Sequence, residues 1–205
     1  ARRGRLDVRK TMRHSLSTGG VPFDTRYRHR TIHKPELFLL CDISGSVSAF
    51  ARFTLMFVHA FQSQFSRVRS FVFVDTLDEV THFFDSEDFV EAIDKMQAEA
   101  NVVWLDGHSD YGTSLERFWQ NYGEGVGPRA SVLVLGDARN NYRSSQAWVL
   151  KALKQKARRV FWLNPEPVRY WDTGDSIASE YARHADGMIE VRNLRQLEEF
   201  ISRVV

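Results

Sequence analysis

Cys41 is the only cysteine in the 205 residues. One thiol excludes an intramolecular disulfide framework and a zinc-knuckle cluster, and it fits a reducing compartment. No uncharged apolar run reaches the roughly 20 residues that a membrane-spanning helix needs. Mean hydropathy is −0.37, so a membrane span is excluded and a cytoplasmic location is expected. There is no internal repeat, no low-complexity stretch and no signal peptide. The chain begins Ala1-Arg2-Arg3 rather than with Met, so it is expected to be part of something longer.

What is present is a globular composition. Hydrophobic residues make up 43% and charged residues 26%, and 15 Phe, 6 Tyr and 5 Trp supply a full core. The length suits one domain with an appendage. Charge marks the division. Residues 1–34 hold ten Lys/Arg against Asp7 and Asp24, a net of +8, while the remaining residues sum to −6. The expected organisation is therefore a basic arm over 1–34 followed by a domain over 35–205. Such an arm suits nucleic acid or an acidic partner. Phe23 and Tyr27 are its only aromatics, too few for base stacking, so nucleic acid is the weaker reading.

From Glu36 onward, apolar runs alternate with amphipathic segments. Leu37 to Cys41 reads as a strand buried on both faces. Phe50, Phe53, Phe57, Phe61 and Phe65 recur at spacings of three and four, one face of a helix. Ser70 to Val74 reads as a second strand. Glu79 to Phe83 reads as a third, antiparallel to the second after a short turn. A helix opens at Ser86 and carries Phe89, Val90, Ile93 and Met96. Val102 to Leu105 is a short apolar run, and a helix is expected from near Ser114. Further strands are expected at Ser131–Leu135, Val160–Leu163 and Met188–Val191, with helices near 144–157, 174–184 and 194–203. This alternation predicts an α/β fold: a doubly wound, mostly parallel, Rossmann-like sheet with one antiparallel edge strand and helices on both faces. Ligands of such sheets sit beyond the carboxyl ends of the strands, where the strand order reverses.

Three loops at those ends carry oxygen donors. The first strand runs into Asp42-Ile43-Ser44-Gly45-Ser46, a carboxylate and two hydroxyls just before a helix. Hard divalent cations take such ligands, although Ser46 or Ser48 also suits a plain helix N-cap. Gly45 lets the backbone turn between the serines. The second loop, Asp106 to Ser114, offers Ser109, Asp110 and Thr113. The third, Gly136 to Asn141, puts Asp137 at a strand end just as the first puts Asp42. Capping, or a salt bridge with Arg139, is the structural alternative for Asp137.

These three loops resemble the metal-ion-dependent adhesion site (MIDAS) of von Willebrand factor A (VWA) domains. The segments Arg3–Gly20 and Phe161–Pro167 resemble the flanking motifs of CoxE-like VWA proteins. The resemblance implies that Ser44 and Ser46 bind the metal directly and that Asp42 acts through water. It matches Ser109 to the family's threonine and Asp137 to its third-loop aspartate. Asp106, Asp110 and Thr113 are possible accessory residues. Ala138 stands where the family commonly has glycine. The implied ion is magnesium, with manganese or calcium as alternatives.

Neutral hydroxyls put little negative charge on a cation, which leaves a position for the Asp or Glu of a partner protein. The expected function is metal-dependent protein–protein interaction, without catalysis. CoxE-like proteins resemble partners of MoxR-type AAA+ ATPases, which implies an adaptor in enzyme maturation or metal-centre assembly. The alternatives are a metal-dependent phosphatase or hydrolase using Asp42, or nucleic-acid binding through the arm. Against the hydrolase, Ser44 occupies the place of the second acid that phosphotransfer wants, and no G-x-S-x-G elbow surrounds the serines. Of the seven histidines only His108 falls in a candidate loop.

Overall fold

The computed structural model of the chain describes residues 35–45, 55, 65–85, 91, 95, 99 and 108–204. The basic arm, Ser46, Phe50, Phe53, Phe57, Phe61, Phe89, Val90, Ile93, Met96, Val102–Leu105 and Asp106 lie outside the described residues.

The elements in chain order are β1 (Glu36–Asp42), β2 (Arg67–Phe73), β3 (Leu77–Glu79), α1 (Tyr111–Tyr122), β4 (Ala130–Leu135), α2 (Trp148–Lys156), β5 (Arg159–Asn164), α3 (Ala178–Ala182), β6 (Gly187–Glu190) and α4 (Leu194–Val204). The six strands form one sheet in the order β3-β2-β1-β4-β5-β6. Every pairing is parallel except β2 with β3. The expected doubly wound sheet with one antiparallel edge strand is therefore present.

The apolar runs explain the layering. β1 sits between β2 and β4, so both of its edges are paired, and with a core layer on each face Leu39, Leu40 and Cys41 have no exposure. Side chains alternate across a strand. Phe38 and Leu40 join a core layer with Leu115 and Phe118 of α1 and Leu150 and Leu153 of α2. Leu37, Leu39 and Cys41 join the opposite layer with Leu55, Leu197 and Phe200. The Cys41 thiol is wholly buried and its pKa is pushed up by burial, so it is inert packing. Phe65, the last of the Phe series, packs half-buried against the second layer. Glu91, Lys95 and Glu99 are helical and exposed, with Glu91 and Lys95 paired at 2.7 Å.

Several boundaries differ from the sequence reading. β3 ends at Glu79, and Thr81–Asp85 forms a 3-10 turn rather than more strand. Thr81 causes this. Its hydroxyl accepts from Ser70 N at 3.0 Å and bonds the Glu79 carboxylate at 2.9 Å, so it replaces the next ladder rung. α2 starts at Trp148 because Gln146 takes a left-handed φ of 45°. α3 is short because Asp172 and Gly174, at φ 61° and 64°, spend residues 170–176 in turns. At the far end of the sheet, Arg69 forks onto Glu79 at 2.9 and 2.6 Å and lies over the ring of Tyr122 at 4.8 Å. That fork closes the antiparallel edge.

Leu40 is central in the central strand, which yields a stability prediction. Leu40→Ala leaves a cavity between β1 and the α1–α2 layer, and about 3 kcal/mol of stability is lost. Urea unfolding of the two proteins measures this.

Candidate metal centre

β1 and β4 are hydrogen-bonded neighbours, and Cys41 stands opposite Leu135. The strand order reverses between them, so their carboxyl ends frame the crevice that the sheet offers to a ligand. Asp42 is the last residue of β1, and Asp137 follows β4 by two residues. Both side chains are buried, at 0% and 2% exposure.

Asp42 is held on both oxygens. Oδ1 accepts from Ser44 N at 2.8 Å, an Asx turn that folds the chain at the strand end. Oδ2 accepts from the Ser109 hydroxyl at 2.8 Å and from the Tyr111 hydroxyl at 2.6 Å. These partners are all neutral, and among the described residues no Lys or Arg pairs with Asp42. Burial drives its pKa up to about 6. The Tyr111 hydrogen bond opposes the rise, the charge of Asp137 adds to it, and the bonds from Ser44 and Ser109 oppose it. A carboxylate with no cation, in low dielectric beside a second carboxylate, is short of positive charge.

Asp137 Oδ1 accepts from Arg139 N at 2.9 Å. The Arg139 guanidinium meets Glu166 at 2.9 and 3.0 Å and Asp175 at 2.9 Å. It anchors the third loop to the segment after β5. The turn needs unusual backbone. Ala138 sits at φ 62°, the left-handed region for which glycine is the ordinary choice. Gly136 is required for space, because a Cβ there would overlap the Tyr111 hydroxyl and lie 3.0 Å from Asp42 Cβ.

Ser44 and Ser109 lie with Asp42 and Asp137 in this crevice, buried at 3% and 4% exposure. Ser46 and Asp106 lie outside the described residues. Asp110 and Thr113 are occupied with each other. Asp110 caps α1, accepting from Thr113 N and the Thr113 hydroxyl, both at 2.9 Å, and from Arg143 at 2.9 Å. Burial raises the Asp110 pKa, but those three bonds outweigh it and the net shift is downward. His108 is exposed at the loop entrance.

Sequence reasoning passed over the roles of five residues that build the site. Tyr111 reaches Asp42, and its hydroxyl is 3.3 Å from Asp137 Oδ1. Asn140 accepts from Tyr111 N at 3.1 Å and donates to Arg143 O at 2.7 Å. Asn164 donates to Asp137 O at 3.1 Å, and Trp162 Nε1 donates to Gly136 O at 2.8 Å. Asn141 adds a bond to Ser109 O at 2.8 Å. The available signal was Asp110 with Thr113 three residues on, an N-cap pattern. It starts the helix at Tyr111 and turns that residue inward. Exposed Tyr142, at φ 58°, crests the third loop.

The donors that Asp42, Asp137, Ser44 and Ser109 bring to the crevice are all oxygens, two carboxylates and two hydroxyls, and among the described residues Asp42 has no Lys or Arg partner. They fit a hard divalent ion. Among the described residues no group of three His, Cys, Asp or Glu is placed to hold a metal ion, so the hydroxyls are part of any donor set here.

A six-stranded sheet of this order, with a hydroxyl- and carboxylate-lined crevice at its reversal, defines a VWA domain. The family model described as "VWA domain containing CoxE-like protein" matches residues 1–200, and the chain belongs to that family. Its fold is similar to BatB from Bacteroides thetaiotaomicron, at 18% identity and a TM-score of 0.54 over 82% of this chain and 96% of that one. It is also similar to an aerotolerance-related membrane protein from Bacteroides fragilis NCTC 9343, at 15% identity and a TM-score of 0.52 over 82% and 97%. A third likeness is to proximal thread matrix protein 1 from the mussel byssus with a zinc-occupied MIDAS motif. It has 18% identity and a TM-score of 0.55, and covers 84% of this chain and 45% of that one. No curated protein sequence matches the chain. No helix among the described residues is long and apolar enough to cross a membrane.

Two predictions follow from the geometry. Folded Asp42 holds its proton up to about pH 6, whereas an unfolded Asp loses it near roughly pH 4. The folded state thus binds more protons between these values, and stability falls as pH rises through them. Without divalent cations, the wild type should lose up to about 3 kcal/mol more than Asp42→Asn between pH 4 and pH 7. Parallel denaturation curves across that range would contradict this. In the second, Gly136→Ala drives a methyl into the Tyr111 hydroxyl and costs about 2 kcal/mol or more. Thermal melting reads that loss.

Proposed function

We propose that this chain is a metal-dependent protein-interaction module whose cation site is Asp42, Ser44, Ser46, Ser109 and Asp137. The observation that carries the reading is the buried Asp42 carboxylate beside Asp137, with no Lys or Arg paired to Asp42 among the described residues. The bound ion would supply an electrophilic coordination position for an oxygen from outside. Magnesium is the expected ion, and manganese or calcium would fit the same donors.

The protein's own residues do the arranging. Ser44 N and the Ser109 hydroxyl fix the orientation of Asp42. Arg139 N fixes Asp137. Hydroxyl donors leave the ion with positive charge to spare, which favours a ligand that brings its own negative charge. The partner is therefore a protein presenting an Asp or Glu. By resemblance to CoxE-like proteins, the wider role is a cytoplasmic adaptor that serves a MoxR-type AAA+ ATPase in enzyme maturation or metal-centre assembly. The reading is not catalytic, since each contact to Asp42 holds it in place and none is to a histidine, lysine or second carboxylate positioned as a base.

Calorimetric titration of Mg²⁺ and Mn²⁺ tests the site. Saturable binding is expected with the wild type, stronger at pH 8 than at pH 5.5, and absent in Asp42→Ala. A wild type that binds neither ion at pH 8 would overturn the reading.

A further inference from the structure

We propose that Tyr111 is a positioning residue of this centre: its hydroxyl bridges Asp42 and Asp137 and sets the spacing at which the two carboxylates meet a cation. The inference rests on the metal-site reading above.

The hydroxyl is 2.6 Å from Asp42 Oδ2 and 3.3 Å from Asp137 Oδ1. A phenol has one proton to give, and the shorter contact places it toward Asp42. On its other side the phenol oxygen accepts from Ala138 N at 3.3 Å. One atom thus touches Asp42 at the β1 end and the adjacent residues Asp137 and Ala138 after β4.

The core fixes where that atom lies. Tyr111 has no exposure. Its ring packs against Phe73 at 5.2 Å, Trp162 at 5.4 Å and Tyr181 at 6.1 Å between centroids, so it cannot swing aside. Gly136 leaves the space that the hydroxyl fills. Burial and the two neighbouring carboxylates hold the phenol protonated, and it stays a donor. Two carboxylates so close in low dielectric repel each other. A neutral hydroxyl anchored in the core, donating to Asp42 and accepting from Ala138 N, ties the β1 end to the turn that carries Asp137 and resists that repulsion.

Tyr111→Phe keeps the ring and removes only the bridge. Partners that orient metal ligands are typically worth about 10- to 100-fold in metal affinity, and a loss of about 10-fold is expected here. Free Mn²⁺ measured by electron paramagnetic resonance gives the affinity, and urea unfolding without metal confirms the fold. Tyr181→Phe is the control. It removes a hydroxyl from the same aromatic stack, one that donates instead to Ser145 O at 2.9 Å, and its Mn²⁺ affinity should match the wild type. Equal affinity in Tyr111→Phe and wild type overturns the proposal, and so does an equal loss in Tyr181→Phe. A wild type that binds no Mn²⁺ overturns both this and the metal-site reading. If Tyr111→Phe does not fold, the wild type decides. The Tyr111 hydroxyl proton should resist solvent exchange in nuclear magnetic resonance and shift with Mg²⁺ at the calorimetric midpoint. A resonance unmoved at saturating Mg²⁺ overturns the proposal.

Discussion

Two carboxylates share one buried crevice at the ends of adjacent parallel strands, and most of the local architecture answers to that repulsion. Asp42 and Asp137 stand on β1 and just past β4, where register leaves them no freedom to separate. Unfavourable electrostatics of this kind persists only when the surroundings over-determine the geometry. Here they do. Backbone amides, a serine hydroxyl and a phenol all point at the two groups. The third loop and the segment after it take left-handed backbone at Ala138, Asn141, Tyr142 and Gln146, and the loop delivers Arg139 N to Asp137. Each such residue costs on the order of 1 kcal/mol, which the twin-layered core offsets.

The parts of this arrangement legible in the sequence were those with a strong local signature. Leu37–Cys41 and Ser131–Leu135 are continuous apolar runs, and only strands covered on both faces read that way. An Asp one residue after the first run and two after the second marks the strand ends, so the first and third loops could be located without a structure. Tyr111 was missed because a start near Ser114 left it in a loop. The N-cap pairing of Asp110 with Thr113 moves the start by one turn and aims the phenol inward. Asn140 and Asn164 were illegible for a different reason. Each bonds a backbone group distant in sequence, Asn140 the amide of Tyr111 and Asn164 the carbonyl of Asp137.

Thr81 and Asp172 make the same point at the periphery. Alternation from Glu79 to Phe83 suits a strand, but a hydroxyl able to reach Ser70 ends the ladder early. Asp172 reaches forward to cap Ser179 N at 2.8 Å, which holds the turn that shortens α3. In both places a short polar side chain competes with backbone pairing and wins.

Asn140 and Asn141 stitch the second loop to the third, while Arg139 and Asn164 stitch the third to the end of β5. The crevice is thereby bolted to the tips of β1, β4 and β5, all parallel and side by side. A load pulling on a ligand held there, directed along the strands, reaches the sheet as shear. Every rung of the β1–β2, β1–β4 and β4–β5 ladders bears it at once, and no strand can be unzipped one bond at a time.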